Sequence, residues 1–318
     1  MASTLTAPRA PAAPPTARRR VRESVGERVA PYAYIAPFFL IFTVFGLFPL
    51  LFTFYVALFD WNPVGAHTFV GLDNFVRLFH DTRFWNAVQN TISIWVLSTV
   101  PQLLIALGLA HLLNHARLRL PTLFRMSMLV PYITSVAATT IVFAQLFDRD
   151  YGLLNWLLHL VGAGPIDFVQ STWGSQLMIA TMVIWRWTGY TTLLYLASLQ
   201  AISRDIYEAA SVDGAGNWKQ FRFITIPSLR PVIVFTIVTS TIGGLQIFTE
   251  PLLVSRSAPL TCGPIRQCQT LTLFLFEQGF GQFKFGYGAA IGVTLFVLVV
   301  GFALINFLLS TRFRREKS

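Results

Sequence analysis

The chain has 318 residues, 54% hydrophobic and 12% charged, where a soluble domain carries roughly 25% charged. Its mean hydropathy is +0.59, and so few charges cannot cover a soluble surface, so water is not its main solvent and lipid is the expected surrounding partner. The net charge of +10 does not point to nucleic acid, because the basic residues flank long apolar runs and the two ends, as membrane flanks do.

Residues 1–30, rich in Ala, Pro and Arg, read as a disordered cytosolic tail. Six apolar runs then follow, near Tyr34–Phe59, Val88–Leu113, Met126–Phe147, Trp173–Leu199, Val232–Val254 and Gly286–Ser310. Each is long enough to cross a hydrocarbon core, which takes about 20 helical residues, and in lipid each must be helical. The fold class expected is therefore an all-α integral membrane protein with six transmembrane helices. Prolines 37, 49, 101 and 131 fall inside runs and predict kinks. The first run exceeds the 7–15 apolar residues of a cleavable signal peptide, so it is expected to be retained.

Seventeen of the 24 Lys and Arg lie on one side: in the tail, after run two, after run four and after run six. Six lie on the other side. Basic residues favour the cytosol, so both termini are expected inside a multi-pass cell (inner or plasma) membrane, with residues 312–318 as a cytosolic tail.

Polar groups at membrane depth usually face a cavity or a partner. In chain order these are Asn90, Gln102, Gln145, Arg186, Gln246 and Glu250, with Trp185, Trp187 and Tyr190 alongside. These amides and rings suit the lining of a solute pathway, and the three aromatics suit interhelical packing as well. Arg186 and Glu250 fit either the pathway or a buried structural pair. Cys262 and Cys268 sit in the outer loop between runs five and six, where they fit a local disulfide or two free thiols. No further Cys or His stands near enough to suggest a metal, and no cofactor is expected.

Residues 200–231 break the alternation of runs and loops. Asp205 precedes Glu208 by three, as Asn217 precedes Gln220, and both are capping-box spacings. Asp213-Gly214-Ala215-Gly216 between them marks a stop and turn, Pro227 ends a second helix, and Pro231 opens the next run. The segment thus reads as a cytosolic helix-turn-helix. Its Tyr207, Ala209, Ala210, Trp218, Phe221 and Ile224 need an apolar partner, and the acids Glu208 and Asp213 favour a protein groove over an anionic membrane.

Glu208-Ala209-Ala210-Ser211-Val212-Asp213-Gly214-Ala215, with Phe221, Ile224, Ile226-Pro227 and Pro231, resembles the EAA loop of permease subunits from bacterial ABC importers. The family carries Leu where Ile226 stands. Tyr34 to Pro63, Phe69-Val70-Gly71-Leu72-Asp73-Asn74-Phe75 and Gly286-Tyr287-Gly288-Ala289-Ala290 resemble the carbohydrate-uptake branch. Within it the chain is most similar to the maltose-type first permease subunit, without that subunit's enlarged outer domain.

The resemblance implies a six-span importer permease domain over 31–311, with an EAA coupling loop at 200–231 that docks on an ATPase subunit. Glu208 would pair with a basic group there, Ala209 and Ala210 would permit close approach, and Gly214 would allow the turn. Asp213 would hold that turn by side-chain bonds to backbone N–H, and Phe221, Ile224 and Pro227 complete the pattern. It implies as partners a second homologous permease subunit, two ATPase copies and an extracellular sugar-binding protein. That protein would meet the outer loops Trp61–Asn86, Asp148–Ser171 and Ser255–Phe285. The chain has no G-x-x-x-x-G-K-[ST] loop, so ATP hydrolysis belongs to a separate subunit and the chain is not itself an enzyme. A glycerol-phosphate importer permease and a secondary transporter of small solutes are the alternatives. The second is disfavoured by the lack of an internal repeat, and neither a membrane enzyme's acid–base cluster nor a channel filter is visible.

Overall fold

The computed structural model describes residues 25–63, 65, 67–115, 121–255 and 257–315. Most of the expected N-terminal tail, the last three residues of the C-terminal one, and basic residues such as Arg18, Arg117 and Arg256 lie outside the described residues. The chain forms two units, residues 1–51 and 52–318.

In the first unit, α1 (Val25–Phe42) begins six residues inside the stretch expected as a tail. It passes through a π-helical turn at Thr43–Leu47 into α2 (Phe48–Ala57). The π turn stops two residues before Pro49, whose ring and missing N–H disrupt the bond four residues back, so the kink expected at Pro49 takes the form of one extra residue in the helix. Every side chain from Tyr32 to Leu51 is exposed, and an apolar helix with no polar cover is one built to face lipid.

The second unit takes in the end of α2, from Phe52, and then an antiparallel ribbon, β1 (Phe59–Asp60) and β2 (Thr68–Phe69), with Phe59 opposite Phe69. In α3 (Asp73–His80), the Asn74 amide donates to the carbonyls of Ala57 and Phe59, each at 2.9 Å. α4 (Thr82–His115) runs through Pro101 unbroken. α5 (Pro121–Ile133) and α6 (Val136–Leu146) meet at a 90° bend, so the kink expected at Pro131 is a sharp break between two helices. Pro131 removes a ladder bond just before the bend, and Ser135 takes an extended ψ of 129°. Then come α7 (Leu153–Leu160) and α8 (Thr172–Gln200).

α9 (Arg204–Val212) and α10 (Asn217–Gln220) form the helix-turn-helix, but its second helix does not end at Pro227. It continues through a π turn at Phe221–Thr225 into α11 (Ile226–Leu245), so residues 217–245 are one rod. Again the π turn stops two residues before the proline, which absorbs the missing donor without a break. The fifth run instead breaks at 246–248, before α12 (Thr249–Val254). α13 (Leu271–Phe276), a π turn at Glu277–Gly281 and α14 (Phe285–Arg315) complete the chain.

Helices at 32–57, 82–114, 217–245 and 285–308 are long and apolar enough to cross a membrane, and the bent α5–α6 pair makes a fifth if it is one span. α8 has 29 residues, length enough to cross, but much of it is buried among the other helices and its polar groups lower its hydropathy. It lies parallel to α4. Asn90 meets Gln176, Gln102 meets Thr191, and Ala106 and Ala110 pack on Tyr195, Leu196 and Leu199. A second core joins α3, α4, α11, α13 and α14 through Leu78, Phe84, Leu245, Phe274 and Ile291. Burying these side chains contributes about 1.5–3 kcal/mol each against water, and packing rather than transfer counts where the alternative is lipid.

Candidate functional site

A cavity of about 450 Å³ opens between these helices at mid-length. α4 supplies Ser98, Thr99 and Gln102, and α8 supplies Arg186, Trp187, Tyr190 and Thr191. α11 adds Thr236, Thr239, Ser240 and Gly243. The two helix breaks complete the wall. The α5–α6 bend brings in Tyr132, and the break after α11 brings in Thr249 and Glu250. Tyr132 stacks on Tyr190 at 4.7 Å and meets Trp187 edge-on at 5.2 Å. Arg186 Nη1 stands 3.8 Å from Glu250 Oε1.

Of the residues expected on the pathway, Gln102, Arg186, Trp187, Tyr190 and Glu250 line this cavity, and Asn90 and Gln246 do not. Asn90 is buried at the far end of α4, where its amide donates to the Arg266 and Gln269 carbonyls at 2.8 and 3.2 Å and accepts from Gln176 at 3.0 Å. Gln246 caps the broken end of α11 and is exposed. Trp185 packs against Phe143, and Gln145 lines a separate depression with Arg149 and Trp156. Sequence reading missed Tyr132 and the hydroxyls. The spacing of Thr236, Thr239, Ser240 and Gly243 was a usable signal, since it is one polar stripe on a helix.

Beyond the cavity, residues 262–270 bind the ends of α4 and α8 together. Cys262 and Cys268 are disulfide-bonded. The Arg266 carbonyl also accepts from Asn86 at 2.9 Å, Gln176 donates to the Gln267 carbonyl at 3.0 Å, and Gln267 donates to the Val169 carbonyl at 2.8 Å. Arg266 Nη2 and Gln269 Nε2 bond the Glu277 carboxylate at 2.8 and 2.7 Å. Burial raises the Glu277 pKa, but these hydrogen bonds and the Arg266 charge outweigh it and hold the carboxyl below its usual range. Asp81 behaves alike: burial raises it, and Arg83 and Tyr287 lower it further.

At the opposite end of α4 and α8 lies the segment 204–227. Ser203, not Asp205, caps α9, its Oγ accepting from the Asp205 N–H at 3.3 Å, and Gly216, not Asn217, caps α10. Neither expected capping box forms. Gln220 instead reaches across the turn to Ser211 Oγ at 2.8 Å and the Ala215 carbonyl at 2.9 Å. The turn is closed by Ala215 N–H to the Ala210 carbonyl (2.9 Å) and Gly214 N–H to the Ser211 carbonyl (3.1 Å), with Gly214 at φ +77°. The Asp213 carboxylate is exposed, and the Gly214 and Ala215 N–H groups expected to bond it donate to backbone carbonyls instead.

Phe221 and Ile224 are half-buried, Phe221 against His111 at 4.7 Å and Trp218 at 5.8 Å. Tyr207 is tied to Thr225 Oγ1 at 3.0 Å. Glu208, Ala209, Gly214 and Pro227 are exposed and Ala210 partly so, beside Ile206, Val212, Trp218 and Phe223, which also lie open. The inward residues therefore anchor the segment on α4, and the outward ones present an apolar patch beside the Glu208 carboxylate.

Residues 87–315 match the binding-protein-dependent transport system inner membrane components. The chain is 37% identical to the lactose transport system permease protein LacF of Rhizobium radiobacter, over 87% of this chain and 91% of that one. It is 33% identical to the arabinooligosaccharides transport system permease protein AraP of Bacillus subtilis, over 91% of each. It is 30% identical to the trehalose/maltose transport system permease protein MalF of Thermococcus litoralis, over 90% and 94%. In fold it is similar to a chain of a bacterial alginate ABC transporter solved with an alginate pentasaccharide-bound periplasmic protein. That match has a TM-score of 0.79 at 20% identity, and covers 91% of this chain and 98% of that one.

Proposed function

The chain belongs to the binding-protein-dependent transport system inner membrane components, and on that premise we propose that it forms half of the pathway of an ATP-driven mono- or oligosaccharide importer. Relatives named for lactose, arabinooligosaccharides and trehalose/maltose supply the substrate class. The observation that carries the mechanism is the single rod 217–245. At its start it bears the exposed Trp218 and Phe223, and farther along it supplies the cavity wall from Phe235 to Gly244. Movement imposed on one end is thereby felt at the other.

In this reading the patch around Glu208 and Ala209 docks in a cleft of an ATPase subunit, with Glu208 against a basic side chain. Two such ATPases bind and hydrolyse the ATP. A second, homologous permease subunit closes the pathway, and a sugar-binding protein delivers substrate at the disulfide-bonded end. Both termini and the segment 204–227 lie on the cytosolic face, as the distribution of Lys and Arg supports.

The test is ATP-dependent uptake of labelled sugars in cells carrying the complete operon, with wild type beside Glu208→Lys. Uptake in the variant falls to background while its membrane level is unchanged, and the sugars taken up by the wild type give the substrate. Equal uptake in both would remove 204–227 as the coupling element.

A further inference from the structure

Arg186 and Glu250 are the only charged side chains lining the cavity among the described residues. They come from different elements, α8 and α12, and are 18% and 10% exposed, so each compensates the other where water is scarce. Their 3.8 Å separation is too long for a hydrogen bond, and Arg186 Nε is buried without any partner. The guanidinium thus holds an unspent donor, in a lining that is otherwise neutral: hydroxyls, the Gln102 amide and the rings of Tyr132, Trp187 and Tyr190.

Resting on the saccharide reading above, we propose that this pair selects uncharged saccharides. Arg186 donates to sugar oxygens, and Glu250 cancels the positive charge that would otherwise draw in carboxylate, sulfonate or phosphate groups. An acidic sugar has to share Arg186 with Glu250, which sets two negative charges side by side at low dielectric. A neutral sugar accepts the same charge-assisted hydrogen bonds without that repulsion. The selectivity is a property of the pair, so it moves with Glu250 alone and returns when both charges go.

The experiment uses the intact transporter, this chain with its partner subunits, in lipid nanodiscs. Equilibrium binding is measured for labelled maltose, lactose and cellobiose, each beside the same disaccharide oxidised to a carboxylate at its non-reducing C6. Wild type prefers the neutral member by about tenfold or more, Glu250→Gln cuts that preference by about tenfold, and Arg186→Gln with Glu250→Gln brings it back toward wild type. A wild type that binds both members alike, or a Glu250→Gln preference equal to the wild type's, overturns the proposal. Should Glu250→Gln not assemble, Arg186→Gln alone decides it: its lone carboxylate should reject the acidic member more strongly than the wild type does, and a preference no stronger than the wild type's overturns the proposal. If the wild type binds none of the six sugars, the saccharide reading itself falls and this inference falls with it.

Discussion

Gly189 faces the backbone of α5 so closely that any Cβ there would overlap the Met128 carbonyl oxygen. The contact seats Tyr132 on Tyr190 one residue farther along, so a packing requirement and a cavity wall share one position. Gly189→Val is expected to lower stability by about 1–3 kcal/mol by forcing the helices apart. Thermal unfolding of the purified protein in detergent measures the loss. Uptake should fall further than the remaining folded fraction accounts for, because the displaced α5 carries Tyr132 with it. At Gly214 the demand is different: φ of +77° sits in the left-handed region, and nothing crowds the position. There the glycine serves conformation, and at Gly189 it serves space.

Among the elements, the segment 257–285 is held in part by a half-buried ion pair, Arg266 with Glu277. Glu277 bonds Arg266 and Gln269, and Arg266 and Gln267 in turn offer their carbonyls to Asn86, Asn90 and Gln176 on α4 and α8. Because the folded carboxyls of Glu277 and Asp81 titrate below their ordinary range, their contribution is complete above the unfolded carboxylate pKa. It is lost as pH falls through the lowered folded values. Hydrogen exchange followed by mass spectrometry should therefore show peptides from 257–285 losing protection in acid before those of α4 and α8. In Glu277→Gln that pH dependence should flatten, with a stability loss at neutral pH of about 1–3 kcal/mol from the unpaired Arg266. Protection of 257–285 that does not change with pH would show that the charges are incidental to its order.

The same scale shows what a sequence can disclose. The apolar runs of α4, α8 and α14 stand out because a lipid-facing or fully enclosed helix needs an unbroken apolar stretch, although α4 begins six residues before its expected run and α14 ends five after its own. The turn at Gly214 was equally legible, since only a few residue types tolerate that conformation. The breaks were not. Pro131 precedes a 90° bend, Pro101 leaves α4 whole, and Pro49 and Pro227 sit behind π turns. One residue type has three outcomes because neighbouring helices decide how the lost hydrogen bond is replaced. Asn90 was misleading for a similar reason: an amide at membrane depth needs partners, and a returning loop serves as well as a substrate. Tyr132 and Glu250 reached the cavity only through breaks in their helices.

For the whole molecule, the proposed topology makes a direct prediction. Val212, in the helix-turn-helix, and Tyr151, between α6 and α7, are among the most exposed residues, at 89% and 94%. The two native cysteines are bonded to each other, so a new thiol is read without background. Val212→Cys should react with a membrane-impermeant maleimide only in inside-out vesicles, and Tyr151→Cys only in intact spheroplasts. The opposite pattern would invert the assignment of faces and take the ATPase partner away from 204–227.

The π turn at Phe221–Thr225 has a consequence for how such a chain can change over time. It holds one residue more than a regular helix needs, between the exposed patch at Trp218 and Phe223 and the cavity wall at Phe235–Gly244. Loss of that residue would let the turn relax into ordinary helix, but would rotate one end against the other by about 100° and shift it about 1.5 Å. Point substitutions on either surface leave this register untouched. Insertions and deletions within 221–225 cannot, so the two ends of the rod are free to vary in chemistry while remaining bound to each other in phase.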